Sequence, residues 1–80
     1  MDKPRDYLKA LRTERNLTTQ EVAEAFGISK QYYSMIETGI SQKRMDLTLV
    51  RRIADFFGVS IEWVAEQEKQ LEETGEETKD

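Results

Sequence analysis

Between Ser29 and Met35 the chain runs Ser, Lys, Gln, Tyr, Tyr, Ser, Met, and Tyr33, three before Ile36, faces inward with it. The side chains left over, Lys30, Gln31, Tyr32, Ser34 and Met35, offer an ammonium, an amide that donates and accepts side by side, a phenol, a hydroxyl and a thioether. That set suits hydrogen-bonded recognition of a polar surface. It suits bond making poorly. The 80 residues hold no histidine and no cysteine, so the usual general base, the commonest transition-metal ligand and the thiolate nucleophile are all missing. No carboxylate pair is placed with evident purpose, and neither catalysis, a metal nor a cofactor is expected.

These side chains need a helix to carry them, and the spacing supplies one. Ser29 is a helix cap, Tyr33 and Ile36 lie three apart facing inward, and Gly39 follows Thr38 as a terminator. The helix before it starts with Thr18 and Glu21 as a capping box and runs through Phe26, with Val22, Ala23 and Phe26 inward and Gly27 ending it at positive φ. Only Ile28 separates Gly27 from Ser29, so the two helices must cross steeply, and the small Ala23 suits the place where they meet. A first helix is expected from about Pro4 to Arg15 around Leu8 and Leu11, with Pro4 in its first turn and Asn16 ending it. Ile40 to Met45 reads as a polar, basic loop. Asp46 caps a fourth helix with Leu47, Val50, Ile53, Ala54 and Phe57 inward and Gly58 closing it, and Ser60 caps a last short helix from Ile61 to about Ala65. The fold class is all-α, a compact bundle of about five short helices spanning residues 1–65, followed by an acidic C-terminal tail, 66–80, expected to fray.

The net charge of -4 speaks against an anionic partner until its distribution is examined. Residues 66–80 carry two of the 12 cations and seven of the 16 anions, a net of -5, which leaves the rest of the chain at +1. A near-neutral body with a separate acidic tail is compatible with a phosphate-rich partner if the cations share a face. No apolar run approaches the roughly 20 residues of a membrane span and no signal peptide opens the chain, so a cytoplasmic protein with no membrane partner is expected.

The string LTTQEVAEAFGISKQYYSMIETG, from Leu17 to Gly39, resembles the helix-turn-helix of the phage repressor and Cro-like family, also called the xenobiotic-response-element family. LKALR at Leu8 to Arg12 and GVSIEW at Gly58 to Trp63 extend the likeness over about three quarters of the chain. The resemblance implies a lambda-repressor-like bundle that binds double-stranded DNA as a symmetric dimer, with helix three in the major groove and helix two across the backbone. It ranks Gln31 and Lys30 first as base readers, then Ser34 and Met35, with Tyr32 nearer the edge. Gln31 suits adenine, Lys30 suits guanine or a phosphate, and Tyr32 suits a thymine methyl or a phosphate. Thr18, Thr19, Ser29, Ser41, Gln42, Lys43 and Arg44 are implied phosphate contacts, which position the protein without reading bases. At Thr19 the chain departs from the family, where many members carry a glutamine. Arg12 and Glu37 occupy positions that often form an ion pair between helix one and the end of helix three.

Each of these readings has a plainer rival. Lys30, Gln31, Tyr32, Ser34 and Met35 suit a solvated face as well, and Lys43, Arg44, Arg51 and Arg52 suit ordinary surface charge. Leu49, Phe56, Ile61 and Trp63 exceed what one small core requires and are expected at a homodimer interface, although Trp63 alternatively completes the monomer's interior. The expected function is a transcriptional regulator, repressing by occupancy of an inverted-repeat operator. The alternative is an antitoxin or adaptor-type module that uses the same bundle to bind a protein, favoured slightly by the negative charge.

Overall fold

The computed structural model describes residues 3–42 and 44–77, with side chains described as far as Glu72. Among the described residues there are five helices and no strand. They divide into two compact units, Met1–Lys43 and Arg44–Asp80.

The first unit holds α1 (Asp6–Glu14), α2 (Thr19–Phe26) and α3 (Lys30–Thr38). α1 is shorter than its sequence pattern predicts, and Pro4 lies ahead of it instead of in its first turn. Arg5, at φ -91 and ψ 77, is turned out of helical space, and its N–H donates to the Glu37 carbonyl at 2.7 Å. That tertiary bond to the end of α3 displaces the helix start. At the other end Asn16 takes φ 57, and the Asn16 and Leu17 amides donate back to the Thr13 and Arg12 carbonyls. α2 starts on the full capping box: Thr18 Oγ1 accepts from the Glu21 amide at 3.1 Å, and Glu21 Oε1 accepts from the Thr18 amide at 2.8 Å. It ends at Gly27 (φ 72), where the Ile28 amide reaches back to the Ala23 carbonyl at 3.0 Å. Ser29 Oγ, accepting from the Tyr32 amide at 3.0 Å, starts α3 at once. Leu8, Leu11, Val22, Ala23, Phe26, Tyr33 and Ile36 are buried, and the Phe26 and Tyr33 rings meet edge to face with centroids 6.0 Å apart.

The second unit holds α4 (Leu47–Phe57) and α5 (Ile61–Glu77), which pack on each other. Asp46 caps α4 by accepting from the Leu49 amide at 2.8 Å, and Ser60 Oγ accepts from the Trp63 amide at 2.9 Å to start α5. Val50, Ile53, Ala54, Phe57 and Val64 are buried. Leu47 is not on the inner face: it is 66% exposed. It is the first residue of α4, and because Cα–Cβ bonds tilt toward a helix N-terminus, its side chain projects past the packed part of the helix. α5 also corrects the expected stop near Ala65, since it continues through twelve further residues to Glu77. Loss of an apolar face does not end a helix when Ala65 through Glu73 are nearly all strong helix formers and no proline intervenes.

Two glycines have different grounds for being glycine. Gly27 and Gly39 both sit at positive φ (72 and 85), which costs an L side chain about 1 to 2 kcal/mol. A Cβ on Gly27 meets nothing within 4 Å, whereas one on Gly39 would lie 2.7 Å from the Lys3 carbonyl carbon and closer still to its oxygen. Gly27→Ala is therefore expected to lower the free energy of unfolding in urea by about 1 to 2 kcal/mol. Gly39→Ala is expected to lower it by clearly more; equal losses would contradict the close passage of the N-terminal segment.

Candidate nucleic-acid interface

The inner face of α3 is fastened by a buried carboxylate. Glu37 is 9% exposed, and its Oε2 accepts from Arg12 Nε at 2.7 Å and from the Tyr33 hydroxyl at 2.7 Å, while Oε1 accepts from Arg12 Nη2 at 3.2 Å. Arg12 Nη1 donates to the Leu17 carbonyl at 3.0 Å, so the same guanidinium also holds the segment entering α2. The hydrogen bond from Arg12 to Glu37 raises the guanidinium pKa above its ordinary value. Desolvation, followed by the bond to Glu37, pushes the Tyr33 hydroxyl far above its ordinary 10.0.

With Tyr33, Ile36 and Glu37 turned inward, the opposite side of α3 faces solvent. Lys30, Gln31, Met35 and Thr38 are exposed, and Ser34 and Tyr32 are half-buried at its margins. The exposed Gln31, Met35 and Thr38, with half-buried Ser34 between them, form a stripe that follows helical spacing, with Lys30 beside it at the N-terminal end. Thr38 extends the stripe beyond the residues singled out from sequence, although its hydroxyl is turned back onto the Ser34 and Met35 carbonyls. Thr18 and Ser29 are exposed and Thr19 is half-buried. Both Thr18 and Ser29 accept an amide bond within their caps, which leaves their hydroxyl protons for donation outward.

Ser41 and Gln42 are half-buried, and Lys43 lies outside the described residues. Gln42 Nε2 donates to the Tyr32 hydroxyl oxygen at 2.9 Å, joining the loop to the margin of the outward side of α3. The organiser of this loop is Arg5, which is 2% exposed and which sequence reasoning missed. Its Nη1 donates to the carbonyls of Ile36 (2.7 Å) and Ser41 (3.2 Å), and its Nη2 donates to the Gln42 carbonyl. The signal was register: Arg5 stands three residues before Leu8 and seven before Arg12, on the buried side of the first helix pattern, where a cation must find acceptors.

In the second unit Arg44 is exposed, as are Arg51 and Arg52. Phe56, Ile61 and Trp63 remain 38 to 41% exposed, with Leu49 half-buried. Among the described residues no acidic cluster is arranged to hold a metal ion, and no helix is long and apolar enough to cross a membrane.

The helix-turn-helix family model matches residues 8–64, which takes in the whole of α2, the Gly27 elbow and α3. The chain belongs to the phage-repressor-like helix-turn-helix family. Membership places it among DNA-binding regulators of transcription. It is 34% identical over 67 residues to the cryptic phage CTXphi transcriptional repressor RstR of Vibrio cholerae, covering 82% of this chain and 59% of that protein. It is 33% identical over 76 residues to the uncharacterized HTH-type transcriptional regulator YqaF of Bacillus subtilis (strain 168), covering 95% of each chain. The chain thus spans less than two thirds of the phage repressor's length and nearly the whole of the Bacillus protein. No solved structure matches.

Removing the carboxylate strands Arg12 and the Tyr33 hydroxyl in a largely dry site. Glu37→Ala is expected to cost about 3 to 5 kcal/mol of stability in urea unfolding, and an unchanged midpoint would refute the role given to Glu37. The Tyr33 shift adds a pH signature. A hydroxyl whose pKa is raised by folding contributes fully below its ordinary 10.0 and loses that contribution as pH climbs above it, because only the unfolded chain then ionises. Stability is therefore expected to fall at alkaline pH, and less steeply in Tyr33→Phe.

Proposed function

We propose that the chain is a sequence-specific repressor of transcription that lays α3 in the major groove of an inverted-repeat operator. The observation that carries this reading is the division of labour within α3. Tyr33, Ile36 and Glu37 anchor it, and that leaves Lys30, Gln31, Ser34 and Met35 on an outward edge supported by a fixed backbone. Gln31 presents its amide to adenine, Lys30 donates to guanine or phosphate, and Met35 with Ser34 touches the next step along the groove. Thr18, Thr19, Ser29, Ser41, Lys43 and Arg44 hold phosphates with hydroxyls and charge, and so set register without specifying sequence, while the Gln42 amide is engaged by the Tyr32 hydroxyl. The similarity to a phage transcriptional repressor supports repression by occupancy.

Two copies are required to read an inverted repeat. Phe56, Ile61 and Trp63, exposed on α4 and α5 with Leu49 beside them, supply the apolar surface for a twofold homodimer. The protein acts in the cytoplasm and performs no catalysis.

Selection of bound sites from random duplex DNA, followed by titration at several salt concentrations, tests this reading. A palindromic consensus and a steep fall of affinity with salt are expected, and a chain that binds no duplex even at low salt is instead a protein-binding module. Lys30→Ala and Gln31→Ala are each expected to cost about 1 to 3 kcal/mol of binding and to relax preference at one position of each half-site. Unchanged affinity and preference in both would remove α3 from the reading role. In sedimentation at micromolar concentration the chain is expected to be a dimer, and Trp63→Asp with Phe56→Asp to give a folded monomer.

A further inference from the structure

One buried side chain from ahead of α1 organises the loop that leaves α3. The Ile36, Ser41 and Gln42 carbonyls lie at and beyond the helix end, where regular N–H partners run out, and the Arg5 guanidinium takes all three. The Arg5 amide adds the Glu37 carbonyl at 2.7 Å, and the Ser41 amide turns back to the Met35 carbonyl at 3.0 Å. The chain is thereby reversed within Gly39–Gln42, with Gln42 held at φ 56. From that position the Gln42 amide reaches ten residues back and donates to the Tyr32 hydroxyl oxygen at 2.9 Å.

This last bond decides what Tyr32 has left to offer. A phenol carries one proton, and an oxygen already accepting from an amide presents that proton outward as a donor. A phosphate oxygen only accepts, and a charge-assisted bond to it is among the stronger hydrogen bonds. We propose that Arg5 and Gln42 are positioning residues that orient the Tyr32 hydroxyl as a donor to a DNA phosphate, which makes Tyr32 a backbone contact at the flank of α3 and not a reader of bases. The proposal rests on the major-groove reading of α3 given above. It adds to that reading a coupling between residues that need not touch the duplex and one that does.

The test is a double-mutant cycle on duplex binding. Because a phosphate contact is independent of sequence, the probe is a mixed-sequence duplex of about 30 base pairs at low salt, read by fluorescence anisotropy. Tyr32→Phe and Gln42→Ala are each expected to weaken binding about tenfold, and the double variant to lose no more than either alone, since both remove the same bond to phosphate. Melting temperatures are followed alongside: a merely structural role for Gln42 would lower stability without this non-additivity. Arg5→Lys keeps the charge but loses the planar fork, and is expected to reproduce the Gln42→Ala loss in the wild type and to add nothing in the Tyr32→Phe background. If Arg5→Lys unfolds, the Gln42 cycle decides by itself. Losses that multiply in the double variant, or a Gln42→Ala protein that binds as the wild type does, overturn the proposal and leave the major-groove reading standing. A wild-type chain that binds no duplex overturns both.

Discussion

A carboxylate taken out of water must have its oxygens satisfied, and in this chain that requirement falls on Glu37. Three donors from Arg12 and Tyr33 meet it, so α1 and α3 are committed to one relative placement and the inward half of α3 has no alternative packing of equal quality. Replacement of such a pair by apolar residues is often neutral in stability, so its use here is better understood as orientation. The aromatic contact between Phe26 and Tyr33 sets the third direction, that of α2 against α3. What the first unit does follows from this lock.

A recognition helix reads bases only if its backbone cannot adjust to whatever it meets, because adaptability removes the penalty for the wrong sequence. The elbow at Gly27 and Ile28 leaves no slack between α2 and α3, and Ser29 caps the helix in the next residue. At the far end the Arg5 guanidinium stands in for the turn that α3 lacks, so both ends of a nine-residue helix are held by specific hydrogen bonds. The outward edge therefore varies by side chain alone. In the proposed reading, polar and charged groups along it carry sequence preference, and the hydroxyls at the caps of α2 and α3 carry placement on the backbone.

Much of this was legible before any coordinates, because the responsible physics is local. Thr18 with Glu21, Ser29, Asp46 and Ser60 form caps through bonds spanning three residues, and Gly27 and Gly58 end helices through their own φ. The buried positions of α2 and α3 follow from helical spacing. What escaped was non-local or depended on ends. The start of α1 at Asp6 is decided by a bond from Arg5 to Glu37, 32 positions away, and Leu47 is exposed because it opens its helix. The length of α5 was missed for a different reason: apolar periodicity reports a packed face, whereas helix continuation needs only good formers and no breaker. Within the site, the sequence marks Gln42 only as a phosphate contact, because its bond to Tyr32 depends on the loop geometry that buried Arg5 imposes.

The most direct measurement is a titration of the isotope-labelled protein with duplex DNA, following every backbone amide by nuclear magnetic resonance. The largest shifts are expected at the N-terminal half of α3, from Lys30 to Met35, at the caps Thr18 and Ser29, and at Ser41 and Gln42. Amides along the buried face of α1 should keep their positions, as an edge presented by a rigid support requires. Shifts confined to α4 and α5, or a wholesale rearrangement of α1 against α3 on binding, would contradict the claim that a pre-set helix three is what meets the DNA.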